Sequence, residues 1–297
     1  MLVTLGEMLA SPLMQRALFA AVLVGLSAPV VGTFLVQRKL ALMGDGIGHV
    51  ALTGVASGWL VGSWAGAVPP ESFAIPGAVA TAIIGAVAIE FVQSRGKASS
   101  DTALALLFYG GIAGGVLLMR LAGGTSATLM NYLFGSITTV STADLVWIGL
   151  LAAVIIATCT GLFTALLAVT QDPQHAAGSG LPVRFLSLII AVLTALTVTV
   201  AMRVVGLLLV SALMIVPVTA AQLWTRSMRA TAFTSAAVGG VVSVVGLTIT
   251  YFVDLPPGAT IVVIAIALYL VSLTVHQVAQ KVRLRKRVTQ GRVPQAS

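Results

Sequence analysis

The stretch ATIVVIAIALYLVSLTVHQV, residues 259–278, decides the fold. It holds no Asp, Glu, Lys or Arg, and its apolar residues run on without the alternation of a half-buried strand. A bilayer core of about 30 Å is crossed by a helix of roughly 20 such residues. A helix closes all its backbone hydrogen bonds within one segment, which lipid demands. Barrel strands would instead show as alternating segments of about ten residues. Working outward, comparable runs occupy 17–37, 42–62, 75–94, 102–121, 143–169, 185–203, 206–223 and 231–252. Pro69-Pro70, Gly123-Gly124, Pro173, Gly178 to Pro182 and Pro256-Pro257-Gly258 break the chain between them. The expectation is an all-α, polytopic integral membrane protein with eight to nine transmembrane helices.

Composition says the same. Of the 297 residues 58% are hydrophobic and 8% charged, and the mean hydropathy is +1.08. A soluble domain carries about 25% charged residues, so soluble enzymes and nucleic-acid binders are excluded. The net charge of +8 is read as a topology signal beside span ends, not as a footprint for nucleic acid. The single cysteine, Cys159, excludes a disulfide framework and Cys-rich metal or iron–sulfur sites. No cleavable signal peptide is evident at the N-terminus.

Placing the loop of Arg38 and Lys39 in the cytoplasm gives the orientation. Thirteen of the 16 cations then lie inside: Arg38, Lys39, Arg95, Lys97, Arg184, Arg226, Arg229, Lys281, Arg283, Arg285, Lys286, Arg287 and Arg292. Arg16, Arg120 and Arg203 lie outside. The protein is therefore expected in the cell membrane, multi-pass, with a cytoplasmic C-terminus. Residues 1–16 read as an N-terminal interfacial segment, 17–280 as the transmembrane domain, and 281–297 as a basic cytoplasmic tail touching anionic lipid. Residues 128–140 read as a segment that re-enters the membrane partway.

The ionisable residues locate the chemistry. Asp101 and Asp144 follow Ser or Thr at helix starts and read as caps. Asp172 and Asp254 sit in turns beside prolines, and Glu90 lies within reach of Arg95. Asp45 is the one acid well inside a span, and His49 the one deep histidine. Four residues apart, they share a helix face. Ionisable groups within a span are functional candidates by default. Three readings are open to such a pair. It can ligate a divalent metal in transit, zinc, manganese or iron; it can be a carboxylate–histidine hydrogen bond that ties helices; it can relay protons. Gly44, Gly46 and Gly48 interleave with it, which suits close helix packing or local unwinding at a midplane site. Gly96-Lys97 lacks the rest of a P-loop, and no His-Glu-x-x-His or Gly-x-Ser-x-Gly occurs. No nucleotide site or catalytic set is expected on this chain.

The segment Val36-Gln-Arg-Lys-Leu-Ala-Leu-Met-Gly-Asp-Gly-Ile-Gly-His49 resembles the signature of the zinc/manganese ABC importer permeases. Further similarities follow in order: Ser100-Asp-Thr-Ala103, Tyr132-Leu-Phe-Gly-Ser136, Asp172-Pro173 with Gly180-Leu181, Val205 to Pro217, and Tyr251 to Thr260. The resemblance covers about residues 15–278 and implies the ABC importer permease fold. It implies a non-catalytic homodimer with an ion path between protomers, a separate cytoplasmic ATP-binding subunit, and an external metal-binding protein that delivers the ion. No tightly bound cofactor is implied; the metal is cargo. The family's transmembrane ligands carry over onto Asp45 and His49. Pro217, Gln222, Arg226 and Arg229 resemble the lead into the ATPase-coupling helix, and Asp172 and Gly180 join them on the same side. Some zinc members have a further histidine in the helix matching 102–121, where this chain has Phe108 and Tyr109. The Leu42-Met-Gly-Asp-x-x-x-His49 form resembles zinc members most, so zinc is expected, with manganese or iron as the alternative. Cobalamin or siderophore permeases and stand-alone carriers compete less well: the former are larger and need no Asp–His pair, and the latter need a coupling-ion site.

Overall fold

Eight of the nine apolar runs become one helix each, and the run 143–169 becomes two. The computed structural model describes residues 5–67, 70–95, 100–136, 141–202, 204–253 and 255–289. Lys97, Arg203, Asp254 and Arg292, and the side chains of Glu71, Arg95, Asp101 and residues 283–289, lie outside the description. The helices are α1 (Leu5–Ala10), α2 (Pro12–Gln37), α3 (Met43–Trp64), α4 (Ala74–Arg95), α5 (Ser100–Leu121), α6 (Ser126–Phe134) and α7 (Thr142–Gly161). Then come α8 (Phe163–Gln171), α9 (Pro173–Gly178), α10 (Val183–Ala201), α11 (Leu207–Gln222), α12 (Met228–Phe252) and α13 (Pro257–Thr289). A short 3-10 turn, Pro70–Phe73, precedes α4. No strand occurs among the described residues.

Among the described residues seven helices are long and apolar enough to cross a membrane: α2, α4, α5, α7, α10, α12 and α13. α11 is apolar but has 16 residues. α3 has 22 residues but is diluted by Asp45, His49 and its glycines. A helix of that composition is poorly suited to lipid, and α3 is surrounded by α4, α5, α10 and α11. The bundle centre lies on α2 and α10, whose apolar stretches are 67% buried, against 22% in α13. Buried hydroxyls in these helices bond back to the preceding turn, as Thr33 to Pro29 O and Thr197 to Leu193 O, and so need no other partner.

Three boundaries differ from the sequence expectation. α7 stops at Gly161, where Leu162 leaves helical geometry (φ −102°, ψ 13°) before α8 starts. An apolar run carries no mark of such a break, because composition does not change across it. α13 continues through the first basic residues of the expected tail to Thr289, and α2 begins at Pro12, inside the expected interfacial segment. The segment 128–140 begins as helix α6; residues 137–140 lie outside the description.

Glycine sets the tightest crossings. A Cβ on Gly32 of α2 would lie 1.9 Å from Met214 O of α11, so the two backbones touch, as small residues allow in membranes. Gly135 (φ +76°) and Gly206 (φ +86°) occupy left-handed backbone that a side chain would strain. Together with Gly258 they join the end of α6, the α10–α11 turn and the start of α13. A Cβ on Gly258 would fall 1.7 Å from Val205 O and 2.8 Å from Phe134 O. Three motifs that are far apart in the sequence thus meet at one end of the bundle.

The opposite end gathers the basic residues. Arg38 Nη2, just past α2, donates to Ser187 Oγ of α10 at 2.8 Å. Burial pushes the Arg38 guanidinium below its ordinary range, and the Glu90 carboxylate opposes that shift. Glu90 therefore interacts with Arg38; the side chain of Arg95, the neighbour expected for it, lies outside the description. Trp224, after α11, donates to Ser272 Oγ of α13 at 2.5 Å and stands edge-on to His276.

Candidate functional site

The first turn of α3 carries Asp45, and the next turn His49, which is 2% exposed. Their side chains share a face but do not bond each other as a carboxylate–histidine pair. His49 Nδ1 donates to the main-chain O of Asp45 at 2.7 Å. A carbonyl only accepts, so Nδ1 holds a proton, and in the neutral form of such a ring the lone pair is at Nε2. Nε2 is buried and has no hydrogen-bond partner among the described residues. Leaving such a group unsatisfied costs about 1–3 kcal/mol, which a ligand at this atom would recover.

The Asp45 carboxylate accepts a hydrogen bond from Ser211 Oγ of α11. Ser211 lies within the Val205–Pro217 stretch, yet nothing in that stretch singles it out; the contact joins residues 166 positions apart. Asp45 also lines a cleft of about 230 Å³ with Leu42, Gly46, Leu104, Ala105, Phe108 and Tyr109. The rim is exposed at Leu42 and Tyr109, so the cleft opens on the flank formed by α3 and α5. The His49 ring is covered by Phe108, with centroids 4.3 Å apart and planes at 52°. Asp45 is thus among the residues lining the cleft, and His49 is not.

The interleaved glycines pack; they do not unwind. α3 is continuous through them. Cβ atoms would meet Ser211 and Met214 from Gly44, Leu104 from Gly46, and Leu207 and Val198 from Gly48. The site is therefore wedged between α5, α10 and α11. Among the described residues no group of three or more His, Cys, Asp or Glu side chains comes together. One chain supplies a carboxylate and an imidazole, short of a full coordination shell.

The other sequence candidates lie at the basic end. Pro217 is buried inside α11 and so can shape that helix but cannot touch a partner. Gln222 closes α11, and residues 223–227 form a turn with no helix of their own. Arg226 is exposed there. Arg229, in the first turn of α12, lies apart from it with its guanidinium 5.5 Å over the Phe163 ring. Asp172 caps α9, accepting from the N–H groups of Gln174 and His175 at 3.0 and 2.9 Å. Gly180 takes a left-handed turn (φ +81°) with open space around it. Asp144 completes a capping box with Ser141 at the start of α7.

Comparison with known proteins gives this arrangement a lineage. The manganese transport system membrane protein MntC of Halalkalibacterium halodurans is 34% identical over 89% of this chain and 87% of its own length. The high-affinity zinc uptake system membrane protein ZnuB of Haemophilus influenzae is 31% identical over 88% of this chain and 98% of its own. Among solved structures, PsaBC from Streptococcus pneumoniae in complex with Fab superposes with a TM-score of 0.80 at 30% identity, covering 91% of this chain and 95% of that one. Residues 10–276 match the ABC 3 transport family. With its helical bundle and its sequence alike across nearly the whole length, the chain belongs to the ABC 3 transport family and is an ABC transporter permease.

Proposed function

We propose that this chain is the permease subunit of an ATP-driven importer of divalent first-row metal ions, with Asp45 and His49 on the ion's path. The observation that carries the reading is the buried, unpartnered His49 Nε2 one helical turn from a carboxylate that lines an open cleft. An imidazole nitrogen and a carboxylate oxygen suit zinc and manganese alike. Because one chain supplies two ligands, a homodimer paired across the α3–α5 flank would supply four. Transport needs coordination weak enough to release the ion, and a shared site that two protomers can open meets that need.

The basic end of the bundle is assigned to the cytoplasm by the excess of Lys and Arg. The turn at 223–227 with Gln222 and Arg226, flanked by the α8–α9 segment with Asp172 and Gly180, is the proposed contact for a separate ATP-binding subunit; Arg229, turned onto the Phe163 ring, is left out of it. Pro217 is assigned a shaping role behind that contact. An external metal-binding protein would deliver the ion to the opposite end. Zinc is favoured by the Leu42-Met-Gly-Asp-x-x-x-His49 form; manganese is favoured by relatives such as MntC.

The test is ATP-dependent uptake per assembled complex in proteoliposomes, with zinc and manganese in competition. Asp45→Asn and His49→Ala should each reduce uptake at least tenfold while the protein still inserts and binds its ATPase. Normal uptake per complex in both variants would refute the path, and the metal that outcompetes the other settles the cargo.

A further inference from the structure

A groove of about 530 Å³ runs along the outer flank where α2, α7, α8 and α12 meet. Val30, Cys159, Phe163, Phe233 and Ala236 are among its apolar walls, and among the described residues no carboxylate lines it. Thr160 is its one hydroxyl, and that group already bonds Ile156 O at 2.7 Å. The remaining polar group is the Arg229 guanidinium. It stands on the Phe163 ring face and is exposed. Arg229, Phe233 and Ala236 follow one face of α12, so the apolar wall extends about 10 Å from the cation. Phe233 is 76% exposed, in a helix whose composition places it in lipid. The cation sits in the first turn of that 25-residue apolar helix, at the end of the span, the depth at which a headgroup is expected.

We infer that this groove seats one anionic phospholipid, an acyl chain along Phe163, Phe233 and Ala236 and the headgroup phosphodiester on Arg229. The charge decides the occupant. A neutral lipid would fill the apolar wall and leave the guanidinium without an anion, whereas a phosphodiester matches its planar donor fork. A soluble partner would not reach a wall that lies within the hydrocarbon. The basic end of the bundle adds attraction for an anionic leaflet.

The test is native mass spectrometry of the purified full-length chain with equimolar dioleoyl-phosphatidylglycerol and dioleoyl-phosphatidylcholine. One phosphatidylglycerol should be retained about fivefold over phosphatidylcholine, the ratio expected of one cation at a membrane surface. Arg229→Gln should bring the two to parity, and Arg229→Lys, which keeps the charge but not the fork, should keep only part of the preference. Ala236→Phe, which fills the groove, should lower retention of both lipids. Unfolding temperature is measured for every variant, and Ala236→Phe carries the test if the glutamine variant fails to fold. Parity in the unaltered protein, a preference that survives Arg229→Gln, or full retention in Ala236→Phe would overturn the proposal. So would displacement of the lipid by inorganic phosphate, which would make the site a phosphate reader, or by the ATP-binding subunit, which would make it a protein contact.

Discussion

Gly110 and Gly111 are neighbours on α5, and alanine at each should act in opposite directions. A Cβ on Gly111 would lie 2.4 Å from His49 C, 2.6 Å from Val50 N and 2.7 Å from His49 O. All three are backbone atoms of α3, so no rotamer change relieves the overlap and the helices must separate. Overpacking of this kind costs about 1–3 kcal/mol. Separation also breaks the bond from Thr53 Oγ1 to Gly111 O at 2.9 Å, worth about 1 kcal/mol. The total is about 2–4 kcal/mol of destabilisation. A Cβ on Gly110 meets nothing within 4 Å, so alanine there should gain about 0.5–1 kcal/mol from helix propensity. Unfolding of the two purified variants in mixed detergent micelles, followed through the half-buried Trp59 of α3, reads the difference. Equal stabilities, or Gly110→Ala as the weaker variant, would refute the claim that α3 and α5 touch through Gly111. Gly110→Ala also probes the proposed homodimer. If a second copy covers this flank, the variant should weaken dimerisation while leaving the protomer intact.

Two further outcomes follow from contacts between distant segments. Ser211→Ala removes the hydroxyl that bonds Asp45; it should cost about 1.5–3 kcal/mol of stability and lower metal uptake per complex, while Ser211→Thr retains both. Wild-type uptake and stability in the alanine variant would separate Ser211 from the site. Gly258→Ala would drive a Cβ against Val205 O and should cost about 3 kcal/mol or more, seen as loss of monodisperse protein after purification; a normal yield and melting temperature would show that the three-glycine junction opens freely.

The sequence by itself determined the class and the pair. Membrane helices are legible because each must satisfy its own backbone in lipid, a demand written locally in about 20 consecutive residues. The shared face of Asp45 and His49 is equally local, since helical spacing alone sets it. The capping role of Asp144 was legible for the same reason. The bonds these groups make were not. The carboxylate is held by Ser211 from α11 and the imidazole by a main-chain carbonyl and the Phe108 ring, and only the packing of α3 among its neighbours decides that. Apolar helices are nearly interchangeable in composition, so hydropathy carries no record of which one lies beside which. The break at Leu162, the meeting of Gly135, Gly206 and Gly258, and the placing of Arg229 on Phe163 all depend on that choice of neighbours. Contacts a few ångströms long between residues far apart in the chain are fixed by shape, and shape exists only once the helices have assembled.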